Sequence, residues 1–246
     1  MSLSALQSQA AIDANASATD IALANGINNV WVLVVSFLIF FMQPGFAMLE
    51  AGQVRAKNVG NVLMKNMTDW VLGVIVYFII GTAVVGIVGA LTTSGASISD
   101  PFSTLGDASA VTPGTEAVAL NGWVSFLFGA VFAMTAATIV SGAVAGRMKF
   151  SAYVLFVVAI VGFIYPVLPG FAWGGSGLLT YNSVTEEGGF IGEAIGAGYL
   201  DFAGATIVHM AGGIAGLVAA KMVGPRKGRY DANGNAQPIP GHSVLF

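Results

Sequence analysis

Long apolar runs alternate with shorter polar connections along the whole chain. A helix needs roughly 20 apolar residues to cross a hydrocarbon layer of about 30 Å. Five runs are long enough, near residues 29–52, 67–92, 121–146, 151–169 and 202–223. The pattern predicts an all-α, polytopic membrane protein with five transmembrane helices. We expect Pro166 and Pro169 to end the fourth and shortest run, since the residue before a proline disfavours helix.

The connections divide the chain into three parts. Residues 1–28 form an amino-terminal arm, residues 29–223 the membrane domain, and residues 224–246 a polar tail. Within the membrane domain, residues 93–120 are rich in Ser, Thr, Gly and Asp and are expected to form a solvated loop. A second long connection, residues 170–200, begins with Trp173 and becomes polar and acidic.

The composition fits a bilayer and excludes several classes of protein. Hydrophobic residues make up 56% of the chain and charged residues 9%, whereas a typical soluble domain has roughly 25% charged residues. The 33 glycines suit membrane helices that pack closely at small residues. The chain has no cysteine, so it forms no disulfide. A net charge of −3 argues against nucleic acid as a partner.

The basic residues predict the orientation in the cell membrane. All nine lysines and arginines fall into three clusters: Arg55, Lys57 and Lys65; Arg147 and Lys149; Lys221, Arg226, Lys227 and Arg229. Acidic residues dominate the other connections. Because basic loops stay on the cytoplasmic side, we expect the amino terminus outside and the carboxyl terminus in the cytoplasm.

His209 is the most informative candidate residue. It lies eight positions after Asp201, which is about 12 Å along a helix. Ionisable groups at such depth are rare and usually line a cavity or a proton path. Its neighbours at helical spacing are small (Ala205, Gly212, Gly213 and Gly216). The alternative is a structural histidine that makes an interhelical hydrogen bond.

Asp201 precedes the fifth run. A carboxylate at this position can cap the first helical turn. It could instead add negative potential to an outer cation vestibule.

Four aromatic residues each have two alternative interpretations. Phe128 and Phe132 lie four apart on one helical face, where they could pack against neighbours or form a gate. Trp173 could anchor the chain at headgroup level or hold a small cation by a cation–π contact worth roughly 2 kcal/mol. Tyr165 is either an anchor or part of a lining.

Glycine and proline mark breaks and close contacts. Gln43-Pro44-Gly45 predicts a kink in the first run. The pairs Gly142 with Gly146 and Gly212 with Gly216 predict close helix contacts. We find no phosphate loop, metal cluster or nucleophile triad, so neither an enzyme nor a cofactor is expected. His242 lies in the polar tail and is not expected to act as a ligand.

Four stretches resemble the ammonium transporter family (Amt/Mep/Rh), specifically its first five spans. They are Phe41-Met42-Gln43-Pro44-Gly45-Phe46-Ala47-Met48-Leu49-Glu50-Ala51-Gly52 with Arg55-Ala56-Lys57-Asn58, Phe128-Gly129-Ala130-Val131-Phe132-Ala133, Ala172-Trp173-Gly174-Gly175, and Asp201-Phe202-Ala203-Gly204-Ala205-Thr206-Ile207-Val208-His209. The resemblance runs from about residue 29 to the end.

The resemblance implies a role for each candidate. Trp173 matches an outer aromatic that recruits ammonium, and Phe128 and Phe132 match the rings that close the vestibule. His209 matches the first of two pore imidazoles. Asp201 and Tyr165 match residues close to the same vestibule. The implied function is ammonium recruitment, deprotonation and passage of ammonia past His209.

The family's architecture implies further partners and a missing half. Its members form homotrimers, and a PII-type signal protein is a possible partner on the cytoplasmic side. Each subunit has about eleven spans in two inverted halves, and such repeats place the site where the halves meet. This chain carries only the first half, so a second half is expected to be needed. The alternatives are an ammonium sensor or regulatory subunit and a non-functional truncated fragment.

Overall fold

The computed structural model describes residues 18–92, 120–173, 178–179, 181–182, 187–188 and 190–245. Within these residues, five helices are long and apolar enough to span a membrane: Asp20–Gln53 (span one), Ala56–Leu91 (span two), Gly122–Val144 (span three), Phe150–Ala172 (span four) and Ala205–Val223 (span five). The prediction of five membrane helices is confirmed. Residues 93–119 of the loop expected at 93–120, and residues 1–17 of the arm, lie outside the described residues.

Most spans consist of more than one helical segment. The α-helices are α1 (Ala18–Phe40), α2 (Met42–Gln53), α3 (Val59–Val76), α4 (Thr82–Thr92), α5 (Gly122–Val144), α6 (Phe150–Ala159), α7 (Tyr165–Ala172), α8 (Phe190–Ile195) and α9 (Ala211–Val223). A 3₁₀ turn at Ala56–Asn58 precedes α3, and π turns lie at Tyr77–Gly81, Ile160–Ile164 and Ala205–Met210. The strands β1 (Tyr181–Asn182) and β2 (Glu187–Gly188) form a short antiparallel pair, and an isolated antiparallel bridge joins Tyr230 and Ala236 in the tail.

Span three forms the centre of the bundle. Much of its middle is buried, including the small residues Ala130, Ala133, Ala136 and Ala137 and the larger Val140. Spans one, two and five pack directly against it, and span four contacts it through the π turn and through α7. Because alanine has almost no bulk, neighbouring helices can approach the central axis closely.

Span one is interrupted close to the predicted kink. The break lies at Phe41, two residues before Gln43, and divides α1 from α2. Pro44 lies in the first turn of α2, where its missing N–H costs no hydrogen bond. Helix α1 also begins at Ala18, inside the stretch that was predicted to be an arm.

Spans two and four differ from their predicted ends. Span two begins at Ala56 rather than near residue 67, so Lys65 lies inside a helix and not in a basic loop. Span four continues through both Pro166 and Pro169 to Ala172. The expectation that these prolines end the helix is wrong. Pro166 follows the π turn at Ile160–Ile164 and occupies the first turn of α7, and Pro169 lies inside α7.

Candidate functional site

The three basic loop clusters meet at one end of the bundle, which we call the basic end. Arg55 Nη2 donates to the carbonyl of Lys227, and Arg226 Nε donates to the carbonyl of Ala145. The opposite ends of spans three, four and five carry Phe128, Trp173 and Asp201. We call this region the aromatic end.

Three aromatic rings form a continuous row at the aromatic end. The ring centroids of Phe128 and Phe132 lie 5.0 Å apart with an interplanar angle of 85°. Phe132 and Trp173 follow at 5.5 Å and 62°. The two phenyl rings therefore meet edge to face rather than in parallel. This is a favoured geometry for aromatic pairs, and it joins spans three and four.

Trp173 links the aromatic row to the start of span five. Its indole Nε1 donates a 2.7 Å hydrogen bond to the backbone carbonyl of Asp201. The indole is half-buried, and its N–H is tied to protein. The bond fixes the orientation of the ring, and the face of the ring remains the part that a ligand could use.

Asp201 caps the first turns of span five. One carboxylate oxygen accepts from the N–H groups of Gly204 (2.8 Å) and Ala205 (3.0 Å). The other accepts from the Thr206 N–H (3.0 Å), the Thr206 hydroxyl (2.7 Å) and the Ile207 N–H (2.8 Å). These donors would otherwise be unsatisfied at a helix amino terminus. Of the two roles that the sequence suggests for Asp201, the helix-capping role is present in the structure.

The hydrogen bonds also control the ionisation of Asp201. Burial of the side chain, which is 5% exposed, raises the pKa of the carboxyl. The hydrogen bonds from Ile207, Thr206 and Gly204 outweigh burial, and they hold the pKa below its usual value. A negative charge is therefore maintained beside the aromatic row.

Gly204 makes this tight cap possible. Its φ is +85°, in the left-handed region that glycine adopts without strain. A Cβ here would lie 2.7 Å from Val208 Cγ2 and 3.4 Å from Trp173 Cη2. The turn at Gly204 thus brings span five close against the indole.

His209 lies on the open face of span five. It belongs to the π turn Ala205–Met210, and its side chain is exposed. Among the described residues no hydrogen bond reaches the imidazole. The interhelical hydrogen bond expected of a structural histidine is therefore not formed within these residues. Exposed apolar side chains continue along the same side, among them Met210, Ile214 and Leu217.

The glycines near His209 divide between two faces. A Cβ on Gly212 would lie 2.8 Å from the carbonyl oxygen of Ala136, and one on Gly216 would lie 3.1 Å from Ala143 Cβ. Both therefore face span three, and the close contact predicted for this pair is present. Gly213 has nothing within 4 Å of its Cβ position, so it belongs to the open face.

Tyr165 is fully buried, unlike a tyrosine anchored at a lipid headgroup. Its ring centroid lies 6.3 Å from that of Tyr77 in span two. No hydrogen bond to its hydroxyl is present within the described residues. Its place beside the substrate path stays a prediction.

A buried polar cluster closer to the basic end was missed by the sequence analysis. We call it the inner polar cluster; its members are Gln43, Glu50, Lys65, Asn66, Asp69, Thr138, Ser141 and Tyr153. Asp69 accepts hydrogen bonds from the hydroxyls of Tyr153 (2.8 Å) and Thr138 (3.0 Å). Lys65 Nζ lies 5.0 Å from the centroid of the Tyr153 ring. Charged residues at helical spacing within an apolar run were the available signal.

Comparison with known proteins gives one consistent result. The model of the Ammonium Transporter Family matches residues 30–246. The chain is 64% identical over 225 residues to "Ammonium transporter Amt1" of Haloferax mediterranei. It is 41% identical over 226 residues to "Ammonium transporter Amt2" of Archaeoglobus fulgidus. A solved structure named "Sensor Amt Protein" matches with a TM-score of 0.67 and 30% identity.

These matches cover most of this chain but only part of each relative. The two sequence alignments cover 91% and 89% of the chain, yet 40% and 43% of the relatives. The structural match covers 91% of the chain and 50% of the solved one. The chain thus spans less than half the length of these two curated relatives.

Proposed function

The chain belongs to the ammonium transporter family, and from this membership we propose that it forms the recruitment site and the first half of the conduction path of an ammonium transporter. It is a multi-pass membrane protein with five apolar helices in its described residues. One observation carries the proposal. The row of Phe128, Phe132 and Trp173 ends on the Asp201 cap, and the helix that Asp201 caps presents His209 on an open face.

Recruitment depends on the faces of the aromatic rings. Ammonium binds against the Trp173 indole and the Phe128 ring, where cation–π attraction contributes roughly 2 kcal/mol once the site is desolvated. Within the described residues, the hydrogen bonds to the Asp201 carboxylate come from its own helix turn, residues 204–207. Its carboxylate therefore acts on the cation through its field rather than by direct contact. Tyr165 supports the wall behind this site.

Passage follows loss of one proton. Phe132 lies between Phe128 and Trp173 and blocks the way for a hydrated ion. Ammonium gives one proton to solvent water on the aromatic side, and neutral ammonia passes the ring and reaches His209. The imidazole replaces a water hydrogen bond for the ammonia inside the membrane, where an unmade bond is costly.

A second half completes the path. The face that carries His209 also exposes Ile214 and Leu217, which are 54% and 70% exposed. A lumen requires a wall on this side, because an imidazole facing lipid has no hydrogen-bond partner. We infer that helices from beyond the matched region of the relatives cover this face.

The orientation, the assembly and the regulator follow from the charge pattern and the resemblance. The basic end is placed in the cytoplasm by the positive-inside rule, so ammonium enters at the aromatic end. The homotrimer and the PII-type partner of the resemblance belong to the same proposal. The curated relatives are named as transporters, which favours transport over the sensor alternative.

Methylammonium uptake tests the proposal in cells that lack their own ammonium transporters. The chain is expressed together with the part of the Haloferax mediterranei relative that lies beyond the aligned region. His209→Ala should lower uptake about tenfold, the effect of losing one hydrogen bond of about 1.4 kcal/mol in the lumen. His242→Ala removes the other imidazole, in the tail, and should leave uptake unchanged. Equal uptake by both variants contradicts the lumen role.

A second variant tests recruitment separately. Trp173→Leu keeps an apolar side chain but removes the π face. It should raise the methylammonium concentration for half-maximal uptake by roughly tenfold or more, given the cation–π contribution. An unchanged concentration dependence would rule out Trp173 as the recruiting ring.

A further inference from the structure

Three connections of the chain meet at the basic end and enclose a pocket of about 500 Å³. Six basic side chains line it: Arg55, Lys57, Arg147, Lys149, Arg226 and Lys227. The side-chain amides of Asn58 and Asn61 add further hydrogen-bond donors. In the described part of the chain, no aspartate or glutamate belongs to the lining.

The arginines are held in place by backbone carbonyls rather than by carboxylates. Arg55 Nη2 donates to Lys227 O (3.2 Å), and Arg226 Nε donates to Ala145 O (2.9 Å). Arg147 donates to the carbonyls of Gly224 (Nη1, 2.6 Å) and Ala143 (Nη2). Such bonds fix the direction of a guanidinium without neutralising its charge. Each guanidinium has five N–H donors, so several remain for a ligand.

The positive charges also lie close enough to disfavour one another. Burial lowers the pKa of Arg226, and the charges of Arg147 and Arg55 lower it further. The Nε of Arg147 is buried without a hydrogen-bond partner in the described residues. A group of fixed, mutually repelling cations with free donors is stabilised by an anion.

We propose that this pocket binds a phosphate group. Guanidinium groups match phosphate oxygens with two parallel hydrogen bonds, and lysines add point charges. The pocket lies where the membrane spans end, so the phosphate can come from a phospholipid headgroup or from a soluble phosphorylated molecule. Basic pockets between helices at the cytoplasmic surface bind lipid headgroups in this way. The site is independent of the transport function proposed above.

Two binding measurements distinguish the sources. The full chain is purified in a maltoside detergent, which carries no phosphate. In one arm, inorganic phosphate and pyrophosphate are titrated and the heat of binding is measured. In the other arm, native mass spectrometry compares retention of phosphatidylglycerol with that of diacylglycerol, which lacks the phosphate. Retention of phosphatidylglycerol alone identifies a headgroup site, and binding in the titration identifies a soluble ligand.

The variants test whether the pocket is responsible. Lys57 and Lys149 are exposed, so Lys57→Gln with Lys149→Gln should fold normally. This double variant should weaken phosphate binding about tenfold, because two of the six positive charges that attract the anion are removed. Arg226→Gln should weaken it further. Lys221→Gln removes the same charge from a residue outside the pocket lining and is the matched control.

Two results would overturn the proposal. One is that neither probe binds the unmodified chain. The other is that Lys221→Gln weakens binding as much per charge removed as the double lysine variant does, because the effect would then be one of net charge and not of the pocket.

Discussion

A single carboxylate determines how span five begins. Five donors from four consecutive residues, Gly204 to Ile207, converge on the Asp201 carboxylate. Asp201→Asn replaces one acceptor oxygen with an NH₂ group that faces N–H donors. We expect a loss of about 1–3 kcal/mol in the free energy of unfolding, the cost of buried unsatisfied groups, measured by denaturation in detergent. Asp231→Asn alters an exposed aspartate that makes similar bonds in the tail, and it should have little effect.

The same residue predicts the response to acid. Because the folded pKa of Asp201 is below its usual value, its contribution to stability is complete above the unfolded pKa of about 3.9. It is lost as the pH falls through the folded pKa. The unmodified chain should therefore lose stability below about pH 4, and Asp201→Asn should lose less over the same interval. Parallel pH profiles for the two proteins would contradict this assignment.

The inner polar cluster is a residue-level feature that the sequence could not fully predict. The sequence predicts that Lys65 belongs to a basic loop with Arg55 and Lys57, because a basic residue near an apolar run normally marks a loop. The structure buries it completely, on a helix face that also carries Asn66 and Asp69. Its surroundings come from span four, whose Tyr153 lies far away in the sequence. The spacing of residues along the chain does not predict a contact between residues that are so far apart in the sequence.

A double-mutant cycle measures how strongly this cluster holds spans two and four together. Tyr153→Phe removes the hydroxyl that donates to both oxygens of Asp69, and Asp69→Asn weakens the acceptor. Each single change should lower the free energy of unfolding by about 1–3 kcal/mol. Their combined effect should differ from the sum by about 0.5–3 kcal/mol, as expected for residues in direct contact. Strict additivity would show that the bond contributes nothing.

At the scale of helices, close packing depends on where each glycine faces. Gly212→Ala would place a methyl group 2.8 Å from the Ala136 carbonyl oxygen and 2.9 Å from Ile139 Cβ. Spans three and five would have to separate, and overpacking of this kind costs about 1–3 kcal/mol. Gly213→Ala is the adjacent control, since nothing lies within 4 Å of its Cβ position. Gly213→Ala should be neutral or slightly stabilising, because alanine favours helix over glycine. Thermal unfolding of each variant in detergent measures the difference.

Helix ends show which local signals are reliable. The Gln43-Pro44-Gly45 signal correctly indicated a break, although the break lies at Phe41. The signal at Pro166 failed because a π turn had already shifted the hydrogen-bond pattern ahead of it, and α7 continues through Pro169 as well. A proline ring clashes with the carbonyl group four residues earlier, so its effect depends on the geometry of the helical turn that precedes it. The preceding geometry is set by packing against span two, for example at Gly162 beside Val76, and this packing cannot be seen in the sequence.

For the whole molecule, the apolar runs and the basic clusters predicted more of the architecture than the short motifs did. Counting apolar runs indicated five crossings, and the basic loops were expected on one side. The structure brings those loops into contact, with Arg226 bonded to Ala145 and Arg55 to Lys227. The phosphate pocket between them depends on the bundle as a whole. No single connection contains enough of its lining to suggest it.

The open face of span five gives the last prediction. The chain has no cysteine, so one introduced thiol is the only site that maleimide can label. Leu217→Cys lies on the face of His209, and Leu155→Cys lies on span four with a similar exposure, 73% against 70%. If a second half covers the His209 face, co-expression with it should reduce labelling at position 217 several-fold and leave position 155 unchanged, as read by mass spectrometry after solubilisation. Unchanged labelling at 217 would mean that the lumen is not completed on this face.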